Sequence, residues 1–139
     1  MQYVDKTHSK EEDTMQTNKI DPALGLLKEF NKVTKGSADH IDKMRKQAIF
    51  TDGAVSAKHK ALGAMLWSIS ARCEPCIKYY VIQASKHGAT ESELAEFLAV
   101  ASTMGSCVGE MWALKAYSSF KGMGGADNGS TADSTQCCE

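Results

Sequence analysis

The chain has 139 residues, a formal net charge of -1, 42% hydrophobic residues and 24% charged ones. That suits one domain with polar ends and a core of roughly 100 residues. A charge so near zero argues against nucleic acid as a partner, because phosphate-binding surfaces carry a basic surplus. No run of about 18 apolar residues is present, so no membrane span is expected. Met1 to Lys19 lacks the basic-then-apolar layout of a secretory signal, which makes the cytoplasm the expected compartment.

Residues 1–19 show no periodicity and few apolar groups and read as a mobile arm. Asp21-Pro22 reads as a helix start, with Asp21 as cap and Pro22 in the first turn, where its missing N–H costs nothing. Leu24, Leu27, Phe30 and Val33 recur at helical spacing and predict an inward stripe that ends at Gly36. Ser37 is expected to cap a second helix with Ile41, Met44 and Ala48 on one face, and Asp52-Gly53 is a turn. Ser56 opens a third helix, with Ala61, Leu62, Met65, Leu66 and Ile69 inward, that runs into Arg72-Cys73. Pro75 begins a fourth, to about His87, with Gly88 as its left-handed cap. Thr90-Glu91-Ser92-Glu93 is a capping box. Leu94, Phe97, Leu98 and Ala101 form the next buried stripe, which Gly105 breaks. A final helix, about Ser106 to Phe120, is expected to bury Val108, Met111, Trp112 and Leu114, with Tyr117 near the same edge. From Lys121 the composition turns to Gly, Ser, Asp and Thr, a flexible tail ending in Cys137-Cys138-Glu139. The class is all-α, with the domain at 20–121 between an arm at 1–19 and a tail at 122–139.

There are five cysteines, an odd count that makes a poor disulfide framework and points instead to redox chemistry or metal. The informative string is Arg72-Cys73-Glu74-Pro75-Cys76-Ile77-Lys78-Tyr79-Tyr80. At roughly 100° per residue, positions 73, 76 and 80 share a helix face. The unpaired N–H groups and positive dipole end of the first turn favour a thiolate. Arg72 and Lys78 add to that field and Glu74 opposes it. A more acidic thiol attacks a peroxide or disulfide faster, and the second thiol resolves the product. Two readings compete. One is a pair of small, partly buried residues in a reduced protein. The other is zinc, but a closed site wants four ligands, and the adjacent Cys137 and Cys138 lack the usual spacing. Covalent haem needs His directly after Cys76, where Ile77 stands, and no βαβ pattern supplies a thioredoxin context.

The stretch from about Ser56 to Phe120 resembles the AhpD-like, carboxymuconolactone decarboxylase superfamily. The resemblance rests on Ala61-Leu62-Gly63-Ala64-Met65, Arg72-Cys73-Glu74-Pro75-Cys76-Ile77 and Ala84-Ser85-Lys86-His87-Gly88-Ala89-Thr90. It continues through Glu93-Leu94-Ala95-Glu96, Ala99-Val100-Ala101 and Met104-Gly105. It implies an AhpD-like bundle of about six helices, a homo-oligomer (trimer or hexamer), and thiol peroxidase or disulfide-reductase activity. The Cys-x-x-Cys pair marks the redox branch rather than the decarboxylase one. By the same resemblance Cys76 is the peroxidatic thiol and Cys73 the resolving one. The redox branch also places a Glu twelve residues before the first Cys and a His four after the second. Those positions hold Ala61 and Tyr80 here. Tyr80 can donate a hydrogen bond to sulfur, but a phenol is a poor base at neutral pH.

The expected function is therefore a thiol-dependent antioxidant oxidoreductase, weak as a peroxidase, with Cys73, Cys76 and Tyr80 as its catalytic residues. It needs no cofactor or metal and takes electrons from a thiol donor. The alternatives are a soft-metal or metalloid-binding thiol protein, with Cys137 and Cys138 as further ligands, and a non-catalytic oligomeric module. His59 reads as a surface histidine, and His87 stands roughly 16 Å along the helix from Cys76. Glu110 is a candidate replacement base, though a solvated carboxylate is its plainer reading. Cys107 reads as a buried small hydrophobe. Trp67, Phe97, Met104, Met111 and Trp112 read as core or subunit-contact groups.

Overall fold

The structure is a computed structural model that describes residues 19–124, so most of the N-terminal arm and the tail with Cys137 and Cys138 lie outside the described residues. The described residues form helices and turns. A single 3-10 turn, Pro22–Leu26, leads into α1 (Leu27–Val33), followed by α2 (Ser37–Ala48), α3 (Ala57–Ser70), α4 (Glu74–Lys86) and α5 (Glu91–Gly124). Several helix ends are set by the residues that the sequence singles out. The Asp21 carboxylate accepts from the Ala23 N–H at 2.8 Å, and Ser56 Oγ accepts from the His59 N–H. The capping box forms as expected: the Glu93 N–H donates to Thr90 Oγ1 at 3.2 Å, and the Thr90 N–H donates to Glu93 Oε2 at 2.9 Å. Gly88, with φ of 85°, closes α4. Ser37 is not a cap. It is the first residue of α2, behind Gly36 at φ 91°, and its hydroxyl donates to Thr34 Oγ1.

α3, α4 and α5 pack on one another around a single core. α3 contributes Ala61, Leu62, Met65 and Ile69, α4 contributes Ile77, Val81 and Ala84, and α5 contributes Leu94, Leu98, Ala101, Ala113 and Ala116. The large fully buried side chains among them, such as Leu62, Met65 and Ile77, each stabilise the fold by about 2 kcal/mol.

α5 is two rods rather than one. Ser106, at φ 47° and ψ -141°, breaks it one residue after Gly105. The second rod folds back so closely that a Cβ on Gly109 would stand 2.3 Å from the Ala101 carbonyl oxygen. Residues 91–123 are long and apolar enough in composition to cross a bilayer, but this reversal leaves no straight rod of that length. The close approach also corrects the expected stripe of the last helix. Val108, Met111 and Leu114 are exposed, whereas Gly109, Ala113 and Ala116 face inward. Two helices this near each other admit only small residues between them, so the bulky side chains turn outward. The second rod also runs on to Gly124 rather than stopping near Phe120. Lys121 pairs there with Glu91 at 2.7 Å, and the Tyr117 hydroxyl donates to the same carboxylate.

α1 and α2 pack on each other, and their backbones stand apart from the α3–α5 unit. Leu27, Phe30, Val33, Ile41 and Met44, expected to face inward, are exposed, Val33 at 72%. The periodicity marks an apolar face, and among the described residues that face stays exposed.

Glu93 ties α3 to α5 as well as capping α5. The Lys58 ammonium and the Thr90 N–H stabilise its carboxylate and hold its pKa down to about 2. A carboxylate with a depressed folded-state pKa stabilises the fold at pH above its ordinary value and stops doing so as pH falls through the folded one. Acid titration followed by circular dichroism should show stability falling between about pH 4.5 and about pH 2, and Glu93→Gln should flatten that part of the profile.

Candidate redox site

The site sits where α3 ends and α4 begins. α3 closes with two backbone bonds, Arg72 N–H to Ile69 C=O and Cys73 N–H to Ser68 C=O, both at 3.0 Å. This is the Schellman arrangement, and it needs a left-handed residue at the position of Arg72. Arg72 adopts φ 54° there, although an L side chain at such a position costs about 1 kcal/mol relative to glycine. The strain stands next to the first thiol.

Cys73 is the N-cap of α4, and Cys76 is the third residue inside it. Their Cα atoms are 5.3 Å apart and their sulfurs are bonded to each other. Both residues are half-buried. Pro75 has no N–H, so of the two positions that an N-cap side chain usually reaches, only the Cys76 N–H remains for a Cys73 sulfur once the disulfide opens. Glu74 is surrounded by cations: Lys78 stands at 3.1 Å and Lys115, from the second rod of α5, at 3.3 Å. Its hydrogen bonds to Lys78 and then Lys115 hold its carboxyl below the usual carboxylate range. The negative charge that opposed a thiolate is thereby occupied, leaving the helix end and exposed Arg72 as the local field.

Tyr80 lies one turn beyond Cys76, half-buried in an aromatic cluster. Tyr79 meets it edge-on at 5.1 Å, and Phe50, from the loop after α2, lies 6.3 Å from it. The Arg45 guanidinium stands 5.3 Å from the centre of the Tyr79 ring. Burial opposes its charge, but the neighbouring Tyr80, Tyr79 and Asp42 together hold its pKa above the ordinary value. Burial pushes the Tyr79 phenol up.

The remaining candidates fall away from the thiols. Ala61, at the position of the relay Glu, is wholly buried in the core. His59 is exposed and bonded to Ser56, and His87 is exposed and stacks on Phe50 at 5.6 Å. Glu110 is exposed, and the residue that the last rod brings to the dithiol turn is Lys115. Cys107 is exposed, not buried, because it follows directly on the Ser106 break. Trp67 and Met104 are exposed at 74% and 82%, Met111 is exposed as well, and Phe97 and Trp112 are partly buried against the core. Among the described residues, no three His, Cys, Asp or Glu side chains come together as a metal site would require. Arg45, Phe50 and Lys115 were not legible as site residues, since each comes from another element and no motif links it to the thiols.

Residues 36–118 match the carboxymuconolactone decarboxylase family over more than half of the chain. The chain belongs to that family. An uncharacterized protein of Cupriavidus necator is 36% identical over 74 residues, which cover 53% of this chain and 66% of that protein. This chain thus spans just under two thirds of that relative. The crystal structure of a carboxymuconolactone decarboxylase family protein from Legionella pneumophila, in its apo form, superposes with a TM-score of 0.69 at 28% identity. The match covers 77% of this chain and 96% of that one. The all-α class expected from the residues and the AhpD-like fold implied by the resemblance are the fold observed.

Proposed function

We propose that the protein is a thiol-dependent antioxidant oxidoreductase that cycles Cys73 and Cys76 between dithiol and disulfide. The observation that carries this reading is the bonded pair at the start of α4, with the neighbouring Glu74 carboxylate held by Lys78 and Lys115. In the cycle, the Cys76 thiolate attacks one oxygen of a hydroperoxide. The O–O bond breaks, the alcohol leaves with a proton, and Cys76 becomes a sulfenic acid. The Cys73 thiolate then attacks the Cys76 sulfur and water departs, leaving the disulfide. A thiol donor returns two electrons by exchange. Peroxide turnover is slow in this reading because Ala61 and Tyr80 supply no general base. Exchange with disulfides is not limited in that way.

Mass spectrometry of the oxidised chain should find Cys73 and Cys76 linked within one peptide, about two mass units lighter than the dithiol because two hydrogens have left. Free thiols alone after oxidant would remove the redox reading.

The reading includes a cytoplasmic homo-oligomer, trimer or hexamer. Its support is the apolar surface exposed among the described residues, including Val33, Met44, Trp67 and Met104. So much exposed apolar area is unusual for a monomer. Light scattering at micromolar concentration is expected to give a multiple of the 15.0 kDa chain mass, and the monomer mass would overturn this part.

A further inference from the structure

The turn that closes α3 is built on bonds from the Arg72 N–H to the Ile69 C=O and from the Cys73 N–H to the Ser68 C=O, and glycine fills such a left-handed position most readily. Arg72 holds it instead, at φ 54°. Its side chain is exposed, and among the described residues its guanidinium has no hydrogen-bond or ion-pair partner. The other cations of the turn do have one: Lys78 and Lys115 stand at 3.1 Å and 3.3 Å from the Glu74 carboxylate. The Trp112 ring, 5.2 Å from the Lys115 ammonium, holds that cation further. Among the described residues, Arg72, Lys78 and Lys115 thus surround the dithiol turn against the Glu74 carboxylate, in a chain whose formal net charge is -1. Because Lys78 and Lys115 occupy Glu74, the Arg72 charge is spare. Arg72 is joined directly to Cys73, and neighbouring Cα atoms are about 3.8 Å apart. An unpaired guanidinium there can reach a carboxylate carried a few bonds from the Cys73 sulfur, and its planar fork fits that group with paired hydrogen bonds.

We propose that Arg72 is a specificity-determining residue for the thiol that reduces the Cys73–Cys76 pair, and that it selects a donor carrying a carboxylate. The inference rests on the dithiol–disulfide reading and adds to it the chemical class of the electron donor. The donor's thiolate attacks the Cys73 sulfur, on the residue next to the guanidinium, and the Cys73–Cys76 bond breaks. The electron pair stays on Cys76, which takes a proton from water. The mixed disulfide on Cys73 brings the donor's carboxylate to Arg72. A second donor thiolate attacks the donor sulfur of that mixed disulfide, and Cys73 leaves as a thiolate. The donor departs as its own disulfide, and two electrons have passed to the protein. A neutral donor runs the same exchange without the ion pair, and a cationic donor meets repulsion. Glycine at position 72 would relieve the backbone and lose this charge.

The test is the rate at which the oxidised full chain loses its Cys73–Cys76 link to mercaptopropionate, mercaptoethanol and cysteamine, which are anionic, neutral and cationic at neutral pH. Mass spectrometry after acid quench and alkylation reads the link. Each thiol is compared only with itself across variants, so its intrinsic reactivity cancels. Arg72→Gly should slow mercaptopropionate about fivefold, leave mercaptoethanol near its wild-type rate and speed cysteamine. Arg72→Asn, which also tolerates the left-handed backbone, should behave as Arg72→Gly does. Arg72→Lys should keep most of the wild-type rate with mercaptopropionate, since the charge remains without the fork. In the wild type, about 0.5 M salt should slow mercaptopropionate and leave mercaptoethanol unchanged. Arg72→Gly should be at least as stable as the wild type because it relieves the left-handed residue, so a slower rate in it is not a loss of fold. An unchanged mercaptopropionate rate in Arg72→Gly and Arg72→Asn, or equal changes with all three thiols, overturns the proposal. Failure of the underlying redox reading looks different: the wild-type chain would then form no Cys73–Cys76 link with oxidant, whereas a normal link that the variants lose at wild-type rates sinks only the role of Arg72.

Discussion

Gly109→Ala should destabilise the protein by about 2 kcal/mol or more, lowering the thermal midpoint by roughly 10 °C. The new methyl would meet the Ala101 carbonyl oxygen at 2.3 Å and its carbon at 3.2 Å. Both atoms are backbone, so no rotamer change relieves the contact and the two rods of α5 must separate. Separation loosens the packing of Ala101, Ala113 and Ala116, which are buried in the core the rods share with α3 and α4. Helix propensity works the other way, favouring alanine over glycine by about 1 kcal/mol in a helix interior, and the expected loss is what remains after that gain. Gly63 provides the control. It lies inside α3, exposed, with nothing within 4 Å of an added Cβ, so Gly63→Ala should gain up to about 1 kcal/mol. Urea or thermal unfolding of the two variants should therefore move in opposite directions. Equal gains would mean that the α5 hairpin is held less closely than its geometry indicates.

The same hairpin shows where sequence patterns run out. Local signals translated directly: the Thr90–Glu93 box, the left-handed Gly88, Asp21 and Ser56 as caps, and the inward stripe of α3 all depend on neighbours within a turn or two. The inward face of the last helix depends on how near another helix comes, which periodicity does not encode. A face of Val108, Met111 and Leu114 looks more buried than one of Gly109, Ala113 and Ala116 until the distance between the rods is known. The α1–α2 pair differs for a related reason: an apolar face is evident in Leu27, Phe30 and Val33, but the described residues place no surface over it. The thiols were legible because Cys-x-x-Cys and Pro75 lie together in sequence. Arg45 and Lys115 were not, because only tertiary packing sets the Arg45 side chain over Tyr79 and the second rod of α5 beside Glu74.

Restoring the relay should raise peroxide turnover, but only when both groups are supplied. A general base contributes typically about 10²–10⁴-fold, and Ala61→Glu with Tyr80→His is expected to recover at least the lower end of that range. The fold sets the terms. Ala61 has no exposed surface and sits in the core with Leu62 and Met65, so Ala61→Glu alone places a carboxylate among hydrocarbon with no partner. That should cost about 3–5 kcal/mol without activating a thiol. With histidine at position 80, the carboxylate gains an imidazole to hydrogen-bond, and part of the loss should return. The double variant is then more stable than Ala61→Glu alone, a non-additivity that unfolding measurements read directly. Tyr80→His alone supplies an imidazole with no carboxylate to orient it, and peroxide turnover should change little. Measured together, peroxide turnover and exchange with a small disulfide isolate the relay: the double change raises the first and leaves the second near its starting value. Fast peroxide turnover by the unaltered chain, unmoved by the double change, would place the base elsewhere, and Glu110, exposed on the second rod of α5, would be the first residue to replace.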